Sequence, residues 1–197
     1  VPEVGWLFAN WTDGTNNISS NQTISFNIDE NKTFIANFAH ELYSIGGSAE
    51  PTEAGFVSGS GTFYFGQNAV LKPVPNPGWE FVDWTENGNV ISQDTLLSFN
   101  VNDSREIKAK FQLINYSINC SVNPPDAGFT SGCGLAFYDE EMILSATPNN
   151  GWEFINWTEN GEIVSTDPDY LFHVENDRNI IANFDLISGI ESISSEK

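Results

Sequence analysis

Few residues of this chain stand in a pattern that carries out catalysis. Paired carboxylates such as Glu159 with Glu162, or Asp167 with Asp169, could serve a glycosidase-type reaction. With 27 acidic residues against 7 basic ones, however, such pairs arise by abundance. The sequence has no Ser/His/Asp or Cys/His set, no phosphate-cradling glycine loop and no His-Glu-x-x-His motif. We therefore expect no catalytic residues, no cofactor and a protein that is not an enzyme.

Acidic turns offer oxygen ligands for a cation. Residues 86–89 (Glu-Asn-Gly-Asn) and 167–169 (Asp-Pro-Asp) could collect Ca²⁺, but neither fits the twelve-residue calcium loop. The two histidines, His40 and His173, fall at different positions of the repeat described below, and no ligand spacing typical of zinc surrounds them. A solvated acidic face is favoured, and we predict no metal site.

The only two cysteines, Cys120 and Cys133, flank a turn-forming segment. A hairpin centred near residues 126–127 would bring them opposite each other, at a cross-strand separation that overlaps disulfide geometry. A disulfide would stabilise the fold by about 3 kcal/mol and would indicate an oxidising or extracytoplasmic setting. Two buried free thiols are the alternative.

The dominant pattern is the string Gly-Trp-x-Phe-x-x-Trp-Thr, at residues 5–12, 78–85 and 151–158. If the strand of this string alternates strictly, both of its faces carry side chains that all three copies keep. Either a bulge therefore re-aims one tryptophan or one tryptophan is partly exposed. One interpretation is that all these tryptophans are core or inter-strand packing. The other is that Trp84 and Trp157 form an exposed stacking platform, a ligand patch for a sugar ring or a partner side chain.

The interval between successive strings is 73 residues, without insertion or deletion, so the chain is a tandem array. We predict the second half of a truncated repeat at residues 1–40, full repeats at 41–113 and 114–186, and a linker or tail at 187–197. Residues 1–40 either pack on the next unit or form part of a permuted domain. Because the first residues already lie within a repeat, we expect the natural N-terminus to lie upstream.

Each repeat reads as strands. Asn87-Gly88 and Asn160-Gly161 are hairpin signals of the type I′ turn, and only residues 92–97 could hold a helical turn. Alignment of the copies assigns faces to the closing strand, because a position that is lysine in one copy is solvated. The inward positions are Phe34, Ile107 and Ile180, then Ala36, Ala109 and Ala182, then Phe38, Phe111 and Phe184. The fold class predicted is all-β, a tandem repeat of small modules.

A net charge of −20 would repel phosphate backbones and anionic lipid. We therefore expect no nucleic-acid partner and no insertion into a membrane, and a soluble monomer.

The residues 54–61, 78–88 and 107–111, with their counterparts in the next copy, resemble the divergent internalin-B-type B-repeat of bacterial surface proteins. The resemblance implies compact β modules, in some members related to the β-grasp, strung along secreted or cell-surface proteins as spacers or adhesive modules. It supplies no catalytic residues. The cysteine pair departs from the usual pattern.

The tail resembles the linker that precedes a sorting domain of type IX secretion cargo, which implies export to the outer surface of a Gram-negative bacterium. The function predicted is a non-enzymatic stalk or spacer, with a role in adhesion, located extracellularly or on the bacterial surface. The alternative is a carbohydrate- or host-ligand-binding module that uses exposed tryptophans, with a glycan or a host or cell-surface protein as partner.

Overall fold

The structure, a computed structural model, describes residues 1–187. Nearly all of them form strands and turns, which confirms the predicted all-β fold. Within that range the helical structure is one 3-10 turn at Thr52–Ala54. The helical turn expected at residues 92–97 is not formed, because the Ser92 hydroxyl accepts the Asp94 amide hydrogen and the Asp94 carbonyl accepts the Trp84 indole N–H. The predicted tail falls outside the described residues from position 188 onward.

Residues 1–40 form one antiparallel sheet of three strands in the order β2-β1-β3. These strands are β1 Trp6–Thr12, β2 Asn17–Ser19 and β3 Ile35–His40. β3 therefore lies at an edge of its sheet.

Residues 41–113 form two sheets. The larger has the order β6-β4-β11-β8-β9, and the smaller has the order β10-β7-β5. The strands are β4 Leu42–Glu50, β5 Gly55–Ser58, β6 Gly61–Tyr64, β7 Asn68–Pro75, β8 Trp79–Glu86, β9 Asn89–Ser92, β10 Leu97–Asn100 and β11 Arg105–Leu113.

Residues 114–186 repeat this arrangement, with sheets β14-β12-β19-β16-β17 and β13-β15-β18. The strands are β12 Asn115–Asn123, β13 Gly128–Ser131, β14 Gly134–Phe137, β15 Glu141–Pro148, β16 Trp152–Glu159, β17 Glu162–Ser165, β18 Asp169–His173 and β19 Arg178–Leu186. In both complete copies the closing strand lies parallel to the opening strand. β11 pairs with β4, and β19 pairs with β12.

The core of the third copy lies between its two halves. The first half supplies Ile118, Ala127, Ala136, Leu144 and Ala146, and the second half supplies Trp157, Val174, Ile180, Ala182 and Phe184. The large sheet joins β12 and β14 of the first half to β16, β17 and β19 of the second, and the small sheet joins β13 and β15 to β18. Neither half therefore forms this core alone. The inward positions predicted for the closing strand are confirmed in the complete copies, where Ala109 and Ala182 are fully buried.

By contacts, the chain divides into two compact units. The first comprises Val1–Asn76 with Phe81–Gln112, and the second comprises Pro77–Glu80 with the described residues from Leu113 onward. The repeat boundaries at 40, 113 and 186 stay a prediction.

Candidate functional site

A β-bulge settles which way the tryptophans of the repeated string point. In the third copy the pairing of β16 with β19 shifts register between Phe154 and Asn156, so Ile155 is the extra residue. The bulge turns Trp157 to the same side as Phe154. Their rings lie 5.7 Å apart, and the ring of Phe184 lies 5.7 Å from that of Phe154. The first copy has the same shift, between Phe8 and Asn10.

The tryptophans assigned to a ligand patch are core residues. Trp84 and Trp157 are both 0% exposed. Their indole N–H groups donate to backbone carbonyls, Trp84 to Asp94 at 2.9 Å and Trp157 to Pro168 at 3.3 Å. A sugar ring stacks on an exposed aromatic face, and these rings pack against protein on both faces. The ligand patch suggested at Trp84 and Trp157 is therefore wrong, and the alternative interpretation, that the two residues are core, is confirmed.

Next to this core each complete copy holds a half-buried ion pair. Arg105 donates to both carboxylate oxygens of Glu86, at 2.8 and 2.6 Å, and Arg178 pairs with Glu159 at 2.7 Å. Each guanidinium also lies over an aromatic ring, 4.3 Å from the Phe99 ring centre in the second copy. Hydrogen bonds from Arg105 lower the pKa of Glu86, an effect that burial opposes. The sequence repeats a basic residue at this position, as Lys32, Arg105 and Arg178, but many carboxylates compete as its partner.

One polar position of the bulged strand differs between copies. In the third copy the Asn183 amide donates to the side-chain oxygens of Asn156 at 2.9 Å and Thr158 at 3.0 Å. The second copy has Asp83 in place of Asn156, 7% exposed, and its Oδ1 has no hydrogen-bond partner within the described residues. Lys110 stands where the third copy has Asn183. The substitution exchanges a neutral amide pair for two residues of opposite charge.

The two cysteines are joined in the structure. Cys120 and Cys133 form a disulfide with their Cα atoms 6.0 Å apart. The expected hairpin is wrong, however. β13 does not pair with β12 but joins the other sheet, where it pairs with β15. The antiparallel neighbour of β12 is β14, and Cys133 lies directly before β14. The second copy has Gly47 and Ser60 at these positions, and a Cβ on Gly47 would lie 2.9 Å from the Ser60 hydroxyl.

The histidines lie in unrelated surroundings. His40 stacks on Trp6 with ring centres 3.8 Å apart and also contacts Tyr64. His173 is exposed, and its Nδ1 lies 3.1 Å from the Asp139 carbonyl oxygen and 3.2 Å from the Asp139 carboxylate. The Asp139 carbonyl, followed by the carboxylates of Asp139 and Glu141, raises the pKa of His173.

The acidic pairs singled out above are engaged in local structure. Glu159 is held by Arg178, and the Asp167 carboxylate accepts the Asp169 amide hydrogen at 3.0 Å. Within residues 1–187 no group of three or more His, Cys, Asp or Glu side chains is placed to hold a metal ion. In the same range no helix is long and apolar enough to cross a membrane.

The glycine that opens each repeated string has one backbone conformation in all copies, and in the first two copies it is also closely packed. Gly5, Gly78 and Gly151 all have a positive φ, of 84°, 80° and 87°. A Cβ on Gly5 would lie 2.6 Å from the Phe65 Cβ, and a Cβ on Gly78 would overlap the Tyr138 side chain. Phe65 and Tyr138 are equivalent positions of successive copies. Around Gly151 no described atom comes within 4 Å of such a Cβ.

The same glycines fix where the chain leaves each copy. The first residue after each closing strand donates its amide hydrogen to the glycine carbonyl. The distances are 2.8 Å for Glu41 to Gly5, 2.8 Å for Ile114 to Gly78 and 2.9 Å for Ile187 to Gly151. All three copies therefore share one exit geometry.

Comparison with known proteins agrees with the repeat. The sequence profile of the divergent InlB B-repeat domain matches residues 1–42, 48–115 and 118–188. No curated protein matches the chain. The solved structure of the Bacillus anthracis TIE protein is similar over 77% of this chain and 37% of that protein, with 10% identity and a TM-score of 0.33. The chain thus spans little more than a third of that protein's length.

Proposed function

Since the chain belongs to the divergent InlB B-repeat family, which occurs in bacterial surface proteins, we propose that it is a non-enzymatic spacer of a secreted or cell-surface protein. A spacer must hold its two ends apart reproducibly, and it needs no chemistry of its own. Tandem copies of one module suit that task, because each added copy lengthens the array by the same step.

The observation that carries this proposal is the repeated exit hydrogen bond. A glycine in the same φ region receives the same backbone N–H at 2.8–2.9 Å in all three copies. An exit fixed by a backbone hydrogen bond gives every copy the same direction of continuation relative to its own sheets. A flexible tether would need no such contact. The engagement of the Trp84 and Trp157 rings in the core also supports a structural role for the string.

The net charge suits a soluble array, and the disulfide suits an extracytoplasmic setting. A chain with net charge −20 stays soluble and resists self-association at high local concentration. A disulfide between Cys120 and Cys133 persists in an oxidising compartment.

The test is to lengthen the array. A further copy of residues 114–186 is inserted in register after residue 186 of the full chain, and a second chain receives two. We expect the maximum dimension measured by small-angle X-ray scattering to rise by equal steps that do not depend on salt. A glycine/serine insert of equal length is the control, and its dimension grows with the square root of its length.

Unequal steps, or a compact particle whose dimension stays constant, would contradict the spacer. A defined glycan or surface protein that bound the chain saturably would instead favour the ligand-binding alternative.

A further inference from the structure

The small sheet of the third copy carries an apolar pair on its solvent side. On its inner face this sheet buries Leu144 and Ala146 of β15. On the outer face Ile143 of β15 lies opposite Leu171 of β18, and both side chains are 53% exposed. The outer face of an antiparallel sheet is ordinarily polar. The pair therefore supplies an apolar contact that the core does not use.

The edge of the sheet beside this pair is open. β18 is the last strand in the order β13-β15-β18. At one end of its pairing with β15, Val174 donates its amide hydrogen to Glu140. At the other end Ala146 donates to Pro168. Hydrogen-bonded pairs alternate along an antiparallel ladder, so Leu171 and the other odd-numbered residues of β18 direct their N–H and C=O groups away from β15. The backbone of Leu171 thus offers a donor and an acceptor to an added strand.

The charges around the pair are negative. Asp169 lies two residues before Leu171 on the outer face of β18, and Glu141 lies diagonal to Leu171 on β15. Both carboxylates are exposed, and among residues 1–187 neither has an ion-pair partner. The only lysine or arginine of residues 114–186, Arg178, is paired with Glu159. A partner at this edge must therefore bring its own positive charge.

The small sheet of the second copy has other residues at the equivalent positions. In the order of Leu171, Asp169 and Glu141 they are Ser98, Leu96 and Asn68. Lys72 is exposed on the same face, opposite Ser58. A basic strand at the edge of β10 would meet neither carboxylate and would be repelled by Lys72. β10 is thus a matched reference edge within the same chain.

We propose that the open edge of β18 is a binding site for an extended, basic segment of a partner protein. The segment pairs antiparallel with β18 and adds a strand to the sheet. One apolar side chain of the segment lies opposite Leu171 and extends its contact with Ile143. Two residues later, a lysine or arginine of the segment lies opposite Asp169. Main-chain hydrogen bonds supply affinity and these two side chains supply specificity. The site adds recognition to one copy and does not rest on the spacer role.

The experiment uses a defined peptide as the probe. The peptide Thr-Thr-Val-Thr-Lys-Thr, capped at both ends, places valine opposite Leu171 and lysine opposite Asp169. It is titrated into the isotope-labelled full chain while backbone amide chemical shifts are recorded by NMR. We expect saturable shifts in residues 169–173, with a Kd of about 0.1–1 mM, because a short strand with one exposed ion pair binds weakly. The amides of residues 97–100 should not shift.

Two altered peptides test the charge and the strand pairing separately. Replacement of the lysine by glutamate should weaken binding about fivefold or more, because the new carboxylate faces Asp169. N-methylation of the valine keeps every side chain but removes the N–H that faces Leu171. This second peptide should not bind.

Variants of the chain test the same contacts from the other side. Leu171→Ser introduces the residue of the second copy and should weaken binding about tenfold, and Asp169→Asn should weaken it about two- to fivefold. Both positions are exposed, and unchanged shifts in residues 178–186 verify the fold. The converse variant, Leu96→Asp with Ser98→Leu and Lys72→Ser, should create a second binding edge at β10.

The absence of saturable shifts in residues 169–173 would overturn the proposal. Equal binding of the glutamate or N-methylated peptide would do the same, as would equal shifts at β10 of the original chain. Binding that Leu171→Ser left unchanged, or a β10 edge that stayed silent in the converse variant, would show that these residues do not form the site.

Discussion

Residues 1–40 and residues 114–186 follow one sequence register but differ in structure. Trp157 is fully buried, while its counterpart Trp11 remains partly exposed. Glu159 and Arg178 form a cross-strand ion pair at 2.7 Å. Their counterparts Asp13 and Lys32 turn to local partners, since Asp13 accepts the amide hydrogens of its own turn and Lys32 pairs with Asp29. The same residue types thus stabilise a core only where the other half is present.

Replacement of the repeated tryptophan by alanine should give the largest difference between the two regions. Trp157→Ala removes a buried side chain and should cost about 3–5 kcal/mol in the free energy of unfolding. Trp11→Ala should cost less, about 1–2 kcal/mol, because part of that ring is already in water. Urea unfolding with hydrogen exchange resolved by peptide measures both. Equal losses would show that the two tryptophans are equally engaged in solution.

The third copy has a disulfide that the second copy lacks. Cys120→Ser with Cys133→Ser should lower the stability of residues 114–186 by about 3 kcal/mol, because the unfolded chain regains the entropy of an open loop. Exchange in residues 41–113, which have Gly47 and Ser60 at these positions, is the internal reference and should not change. Reduction of the original protein should reproduce the effect. A loss shared by both copies would mean that the bond acts beyond its own copy.

The contribution of the second copy's ion pair to stability should depend on pH. Arg105 lowers the pKa of Glu86 in the folded protein. As the pH falls, the unfolded chain binds a proton at this carboxyl first. The stabilisation is therefore complete above the ordinary carboxyl pKa and is lost as the pH falls through the lowered, folded-state pKa.

Glu86→Gln should accordingly cost about 2 kcal/mol near neutral pH and progressively less in acid. The exposed Glu162→Gln is the control and should have little effect at any pH. The measurement is the urea midpoint as a function of pH. A cost for Glu86→Gln that did not shrink in acid would rule out the charge as its cause.

The smallest expected effect is a difference in stability between alanine variants of two glycines that share one backbone conformation, Gly78 and Gly151. Gly78→Ala and Gly151→Ala both place a side chain at positive φ, at a cost of about 1–2 kcal/mol each. Gly78→Ala should cost about 1 kcal/mol more, because its Cβ would meet the side chain of Tyr138, whereas no atom of residues 1–187 lies within 4 Å of a Cβ on Gly151. Thermal unfolding of the two variants gives the difference. Equal stability of the two variants would show that the Tyr138 side chain moves aside without cost.

Much of this fold could be predicted from the repeat alone. The hairpin turns at Asn87-Gly88 and Asn160-Gly161 have the positive φ angles expected of them. The sheet that β13 joins could not be predicted, because turn residues show that the chain reverses but not which strand it meets next. A bulge in the tryptophan strand was one of the two alternatives that the sequence offered, and the structure confirms it. Its position at Ile155 could not be predicted, since a bulge is set by pairing with β19 and leaves no spacing of its own. For that reason the sequence left the side of the tryptophans open.

The parallel pairing of first and last strands has a mechanical consequence. In the third copy β12 and β19 are neighbours that run in the same direction, and Asn119 and Asn123 of β12 donate side-chain hydrogen bonds to Asn179 and Asn183 of β19. A pull on the two ends of this copy therefore drags β12 along β19. It loads all the bonds between them at once in shear, whereas an antiparallel terminal pair would unzip one bond after another. A module built this way should yield abruptly at high load.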